Sequence, residues 1–281
     1  MMPRRYFLVL LLVCTSLVQA APQEVQSLEI GLVPNLTSRT LLAAFEPMRA
    51  YLQAQLQQPV HLTTAPNFKD FYARTQKGEF DLVVTPAHFA WLAYREAGYT
   101  PLLTYTEQLS GLLVVTRDSP IQNVAGLRGK RLGIVDPLAI VTMRGLQELR
   151  DQGLRSGIDF SAQAIAPHNA AAAAVVQGEL DAAFIGSGPY RIMAEETRSR
   201  LRVVVEVGSV LNAVYLAHSR IPLARQSEVQ RLLKAFAETT VEGQKFMTQY
   251  GYGGFKPITA ADLKPMDVYA DQVKRLLVGD K

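Results

Sequence analysis

Gly78-Glu79-Phe80-Asp81-Leu82-Val83-Val84 and Gly178-Glu179-Leu180-Asp181-Ala182-Ala183-Phe184 are one pattern written twice, offset by one hundred positions. Ala65-Pro66 and a helical stretch precede the first copy, and Ala166-Pro167 and a helical stretch precede the second. Both copies run on through a turn of small residues, Thr85-Pro86-Ala87 or Gly186-Ser187-Gly188-Pro189. Each then enters a helix carrying Trp91-Leu92-Ala93 or Ile192-Met193-Ala194. Self-similarity at this spacing points to two lobes of like topology rather than one long sheet. Chance convergence of two ordinary helix–turn–strand units is the plainer alternative.

Outward from the first copy, strands and helices alternate. Leu28 to Val33 reads as a strand, and Leu41, Leu42, Phe45, Met48, Leu52 and Leu56 follow at helical spacing. Val60 to Thr64 and Phe80 to Thr85 read as strands, with helices over Phe68 to Gln76 and Phe89 to Glu96. This βαβα order predicts an α/β protein of two lobes, each a mostly parallel sheet flanked by helices. Gly111 to Thr116 and Ala213 to His218 are strands that each run into a polar stop and a proline, and they are expected to cross between the lobes as two hinge strands. The expected division is a leader at 1–20, lobe 1 over 21–116, lobe 2 over 117–213, and a return to lobe 1 over 214–281. In that return, Arg225 to Tyr250 is an amphipathic helix pair with Val229, Leu232, Leu233 and Phe236 turned inward.

The 281 residues are 48% hydrophobic and 19% charged, enough apolar material for a substantial core. Arg4 and Arg5 precede an apolar run from Tyr6 to Val13, and Val18-Gln19-Ala20 supplies the small residues that a signal peptidase reads. This is the pattern of an export signal cleaved after Ala20, delivering the chain to the periplasm. Arg4-Arg5-Tyr6-Phe7-Leu8 also resembles a twin-arginine motif, although the greasy run favours the general secretion route. The single cysteine, Cys14, lies inside this leader, and Val13 fits poorly as the small residue that a lipidation site wants before it. The processed chain then has no thiol for a disulfide, a metal or a nucleophile. Without Arg4 and Arg5 there are 27 basic and 25 acidic residues, a balance that argues against nucleic acid as a partner.

Ligands of open α/β sheets bind beyond the carboxyl ends of strands, where helix N-termini present free N–H groups. Five turns fit that description. On the first lobe they hold Asn35, Thr37, Ser38 and His88, and on the second Thr142, His168, Asn169, Ser187 and Tyr190. These nine residues are the candidate ligand contacts. The alternative roles are helix capping for Asn35, Thr37, Ser38 and Asn169, a satisfied structural role for the histidines, and core packing for Tyr190. Asp136 before Pro137 is expected to order its own turn. The four histidines show no metal-ligand spacing, phosphate-loop and dinucleotide fingerprints are absent, and no cofactor is expected. Gly186-Ser187-Gly188 is only a fragment of a nucleophile elbow, since Ile185 and Pro189 stand where that motif needs other residues, so no enzymatic activity is expected.

At these turns the sequence resembles the phosphate/phosphonate-binding-protein-like group of periplasmic solute receptors, which are type 2 periplasmic binding proteins. The likeness runs from about Leu28 to Lys234. It is carried by Pro47-Met48 and Tyr51-Leu52, by Leu127-Arg128-Gly129-Lys130-Arg131 leading into Leu132 to Pro137, by His168, and by Gly178 to Ala183. The resemblance implies a two-lobed type 2 fold that captures a small polar or anionic, phosphonate-like solute and delivers it to an ABC permease in the inner membrane. A monomer is expected. In that group the Asp-Pro turn is followed by a run of Ser and Thr hydroxyls, whereas here it reads Leu138-Ala139-Ile140-Val141-Thr142 and only Thr142 can donate from its side chain. Backbone N–H groups remain available to an anion. The competing role is a ligand-sensing accessory of a membrane histidine kinase, which a kinase–regulator gene pair beside this gene would indicate.

Overall fold

The computed structural model describes residues 26–279. The expected leader, with Cys14, lies outside them. The chain runs β1 (Leu28–Leu32), α1 (Ser38–Leu56), β2 (Val60–Thr63), α2 (Phe68–Gln76), β3 (Leu82–Thr85), α3 (Ala87–Glu96) and β4 (Tyr99–Tyr105). It continues through β5 (Leu109–Thr116), β6 (Arg131–Ile134), α4 (Ile140–Asp151), β7 (Ser161–Ala164), α5 (His168–Val176), β8 (Ala182–Gly186), α6 (Ser187–Ile192), α7 (Glu195–Arg198) and β9 (Leu201–Val210). It ends with β10 (Val214–His218), α8 (Leu223–Thr239), α9 (Val241–Tyr250), β11 (Phe255–Pro257), α10 (Ala260–Leu263) and α11 (Asp267–Gly279).

Two sheets result, ordered β11-β4-β10-β3-β1-β2 and β7-β6-β8-β5-β9. In each, three parallel strands (β2-β1-β3 and β7-β6-β8) are extended by antiparallel ones, β10 beside β3 and β5 beside β8. The parallel part is what βαβ alternation predicts. β5 and β10 reach their neighbours from the other lobe, without a crossover helix, so nothing obliges them to run parallel.

Two expectations are corrected here. Gly111–Thr116 and Ala213–His218 do not themselves bridge the lobes, because β5 and β10 each lie wholly inside one sheet. Leu113, Val114 and Val115, and likewise Val214, Leu216 and Ala217, are buried, as suits an inner strand with both faces covered. The crossings are the short segments 106–108 and 211–213, so the first passage into the second sheet comes before Leu109 and not after Thr116.

The repeated motif does the same work in both lobes. Asp81 Oδ2 accepts the N–H of Glu29 at 2.8 Å, and Asp181 Oδ2 accepts that of Arg131 at 2.7 Å, so each carboxylate clamps the start of the neighbouring parallel strand. The arginines that complete the pairs differ. Arg220 reaches Asp81 at 2.6 Å from the returning segment, whereas Arg131 reaches Asp181 at 3.1 Å from the clamped strand itself. The glycine that opens each copy ends a helix at positive φ, 67° at Gly78 and 78° at Gly178, a backbone that side chains with a Cβ rarely adopt. The apolar residue needs a glycine opposite: a Cβ on Gly31 would stand 2.6 Å from the Phe80 ring, and one on Gly133 would stand 2.5 Å from Leu180 Cδ1.

Helices cover both faces of both sheets. On one face of the first sheet Leu41, Phe45, Met48, Leu52 and Leu56 of α1 meet Val229, Leu232, Leu233 and Phe236 of α8 and Phe246 of α9. The expected C-terminal helix pair is therefore present, broken by Thr240, whose hydroxyl accepts the N–H of Gly243 to cap α9. The second sheet carries α4 on one face and α5 on the other.

Candidate functional site

Five strands end at the gap between the lobes, and each hands the chain to a helix. β1 leads through Val33-Pro34-Asn35, β3 through Pro86 into α3, and β6 through Asp136-Pro137-Leu138-Ala139 into α4. β7 leads through Pro167 into α5, and β8 passes directly into α6. The N-termini of α3, α4 and α5 carry no side-chain cap. α2 differs, because Asn67 accepts the N–H of Asp70 there at 2.7 Å.

Two chains of contact cross the gap. Leu138, Ala139, Ile140 and Val141 of the second lobe lie in one buried apolar cluster with Ala65, Phe68, Ala87 and Phe89 of the first. The aliphatic turn thus fills most of the crevice, leaving a cavity of about 60 Å³. Into this cavity face Val33, Asn35 and Phe68 from one lobe, Ile140, Val141 and His168 from the other, and Asn212 and Tyr252 at its edge. A larger groove of about 400 Å³ lies between α1 and α9, but it draws on one lobe only and gathers no buried, partnerless polar atom.

The second contact is a hydrogen bond. His88, wholly buried, sits in the first turn of α3 and donates from Nε2 to the carbonyl of Leu138 at 2.9 Å. Because that carbonyl can only accept, the proton is on Nε2 and Nδ1 is a bare acceptor, buried without a partner. His168, also buried, accepts the N–H of Gly186 at Nδ1 (3.2 Å), which puts its proton on Nε2. Burial pulls the His88 pKa down to about 4, partly offset by the Leu138 carbonyl, and pulls that of His168 down to about 3. Burial raises the Asp136 carboxyl instead, partly offset by the Leu138 N–H it accepts at 2.7 Å, the local bond that orders this turn.

Asn35 and His168 are the two of the nine sequence candidates that line the cavity. Thr142 and Asn169 adjoin lining residues, and the Thr142 hydroxyl and Asn169 Oδ1 are buried without partners. The other five stand elsewhere. Thr37 and Ser38 are exposed at the start of α1, with the Thr37 hydroxyl 2.8 Å from that of Thr40. Ser187 Oγ accepts the N–H of Ser110 at 3.2 Å, tying α6 to β5 within one lobe. Tyr190 packs against the second-lobe core around Leu112 and Ala171, and His88 is the interlobe bond just described.

Three residues at the cavity were missed by the sequence reading. Phe68 was assigned only to its helix. Tyr252 lies in a glycine-rich turn without periodicity, where its ring stacks on Tyr105 with centroids 3.7 Å apart. Asn212 sits in the second crossing and donates to the carbonyl of Glu107 in the first at 3.2 Å, so it joins the two hinge segments. Among the described residues no three His, Cys, Asp or Glu side chains gather as metal ligands, and no helix is long and apolar enough to cross a membrane.

The family model described as the periplasmic substrate-binding protein of phosphonate ABC transporters matches residues 30–263. Among solved structures, the methylphosphonate complex of PhnD1 from Prochlorococcus marinus aligns with a TM-score of 0.76 at 14% identity, over 88% of this chain and 98% of that one. A binding-protein component of an ABC phosphonate transporter from Pseudomonas aeruginosa gives 0.73 at 14% identity, over 91% and 99%. The periplasmic aliphatic sulphonate-binding protein SsuA of Escherichia coli gives 0.65 at 18%, over 91% and 94%. At such identities the structural likeness is one of fold.

Proposed function

Because the chain belongs to the family of periplasmic substrate-binding proteins of phosphonate ABC transporters, we propose that it captures a small oxyanionic solute between its lobes and delivers it to an ABC permease in the inner membrane. The family consists of solute-binding proteins rather than enzymes. Residues 1–20 act as a cleaved export signal in this reading, and a monomer suffices because one chain supplies both walls of the cleft.

One observation carries the reading. Seven buried side-chain polar atoms lack a partner among the described residues, and five of them belong to Asn35, Thr85, His88, Thr142 and Asn169. All five residues stand at the strand ends and helix starts that border the gap. Leaving such a group unpaired costs about 1–3 kcal/mol, so a concentration of them marks a place where a ligand, ion or water completes the bonding. Asn35, Thr142 and His168 Nε2–H are the proposed polar contacts, with Phe68 and Tyr252 as apolar walls.

Asn35→Asp is the direct test, because it keeps the shape of the side chain and adds one negative charge to the cleft wall. Isothermal titration with methylphosphonate and methanesulfonate is expected to show at least about a tenfold loss of affinity. The melting temperature of the unliganded chain should stay within a few degrees of the parent. Unchanged affinity for both anions would remove Asn35, and the cleft around it, from the binding site.

A further inference from the structure

We propose that the cleft selects a singly charged oxyanion with a compact apolar substituent, an alkylsulfonate or the monoanion of an alkylphosphonate, over any doubly charged one; this rests on the receptor reading above. No Lys, Arg, Asp or Glu lines the cavity. The positive potential nearest the cavity comes from the N-termini of α3, α4 and α5, all free of side-chain caps, since α1 begins in solvent, α6 has only six residues and Arg191 stands behind Tyr252 rather than on the wall. Each helix terminus acts as about half an elementary charge, so the three together amount to about one and a half, enough for one negative charge and short of two. Asn35 Oδ1, without a partner, and His168 Nε2–H stand on the wall itself, and next to the lining residues Pro86 and Val141 the hydroxyls of Thr85 and Thr142, both at least nine-tenths buried, also lack partners.

The walls oppose a second charge. Phe68, Leu109, Ile140, Val141 and the Tyr252 ring are apolar and would strip the hydration shell from a dianion without replacing it. The same surfaces favour an alkyl group, because apolar area is removed from water on both sides of the contact. The small volume confines that group to a carbon or two.

Titratable and charged groups of the protein at this place are His88 on α3, His168 on α5, Asp136 before α4, and Tyr252 after α9 with Tyr105, Tyr215, Tyr250 and Arg191 around it. Both histidines stay neutral well into the acid range, burial holds the Tyr252 hydroxyl protonated, and Asp136, once ionised, further repels a dianion. Between mildly acid and mildly basic pH, a change in binding therefore reports the ionisation of the ligand.

Isothermal titration of the exported chain with methanesulfonate, methylphosphonate and inorganic phosphate, at about pH 5.5 and about pH 8.5, separates the outcomes. Methanesulfonate, singly charged throughout, should bind at both with affinities within about twofold, and methylphosphonate should weaken at least about tenfold on passing to its dianion. Phosphate should give no saturable heat at about pH 8.5. Thr142→Val, which keeps volume and removes the hydroxyl, should weaken methanesulfonate about tenfold with the melting temperature retained. Binding of phosphate at about pH 8.5, or of methylphosphonate equally at both pH values, overturns the charge selectivity and leaves the receptor reading standing. Saturable binding of some other solute with none of these three does the same. A folded chain that binds no solute at all overturns the receptor reading itself.

Discussion

On acidification from pH 6.5 to about pH 4.5 the unliganded chain is expected to lose folding stability on the order of 5 kcal/mol, much of it above the range in which surface carboxylates titrate. Two buried histidines are the main cause, with a smaller contribution of the same sign from His218, whose pKa is also lowered by burial and by Arg220. Burial depresses the folded-state pKa values of His88 and His168 to about 4 and about 3, below the ordinary value of 6.5. In the unfolded chain both regain that ordinary value, so between it and the folded-state pKa the unfolded form binds protons that the folded form refuses. Stability is therefore complete above pH 6.5 and falls by about 1.4 kcal/mol per pH unit for each histidine as the pH drops. Asp159, Asp181 and Asp262 have lowered pKa values and also lose stability on acidification, but lower in the pH scale. Marginal stabilities of about 5–15 kcal/mol make a loss of this size a large share of the whole. Urea unfolding followed by circular dichroism at three pH values reads it directly. His88→Gln and His168→Gln should each remove a large and similar share of the slope, whatever they do to stability at neutral pH. A flat profile between pH 6.5 and about pH 5 would mean that the two rings are charged or wet in the folded state.

Gly31→Ala is expected to cost about 1–3 kcal/mol, the usual range for forcing a methyl into a filled core. The added carbon would stand 2.6 Å from Cγ and Cδ2 of Phe80. That ring cannot retreat easily: it stacks on Phe71 with centroids 5.6 Å apart, and the Arg74 guanidinium lies 4.7 Å from its centre. Thermal unfolding should show a loss of several degrees, at about 2–4 °C per kcal/mol for a chain of this size. Gly133→Ala, the corresponding change in the second lobe, meets the far end of the Leu180 side chain and should cost less because that end can swing aside. Combining Gly31→Ala with Phe80→Leu should recover part of the loss, and the shortfall from additivity measures the contact. A Gly31→Ala chain as stable as the parent would show that the glycine is not there to make room for Phe80.

The twofold plan was legible because its signals are local. Glycine at the helix end, an apolar anchor and an aspartate that clamps the next strand sit within four residues, and the copies keep their spacing through helices at 68–76 and 168–176. The stripes of α1 and α8 were legible for the same reason, since 3.6-residue periodicity is a property of one segment. What escaped depends on partners distant in the chain. An apolar run such as Gly111 to Val115 does not state whether it crosses between sheets or lies inside one, and the answer comes from β8 and β9, some 70 to 100 residues on.

The cleft shows the same division. Asn35 and His168 follow strand ends and were legible from that position, as was the loss of hydroxyls at Leu138 to Val141. That those side chains would reach across to Ala65 and Phe68 was not legible, nor was the approach of Tyr252 from the far end of the chain. Thr37 and Ser38 had the right residue types and neighbours, yet the start of α1 leaves them in solvent.

The central claim is that two kindred lobes, hinged at 106–108 and 211–213, close on a solute held between them. Its most direct test is a distance between labels on the two lobes. Arg39 on α1 and Glu196 on α7 are exposed and, among the described residues, make no side-chain hydrogen bond or ion pair. With both replaced by Cys and spin-labelled in a chain free of Cys14, pulsed dipolar spectroscopy should give a distance distribution that shifts and narrows to a single closed value as a bound solute saturates. The same distribution before and after saturation, with binding verified by heat on the same sample, would contradict closure of the lobes on the ligand.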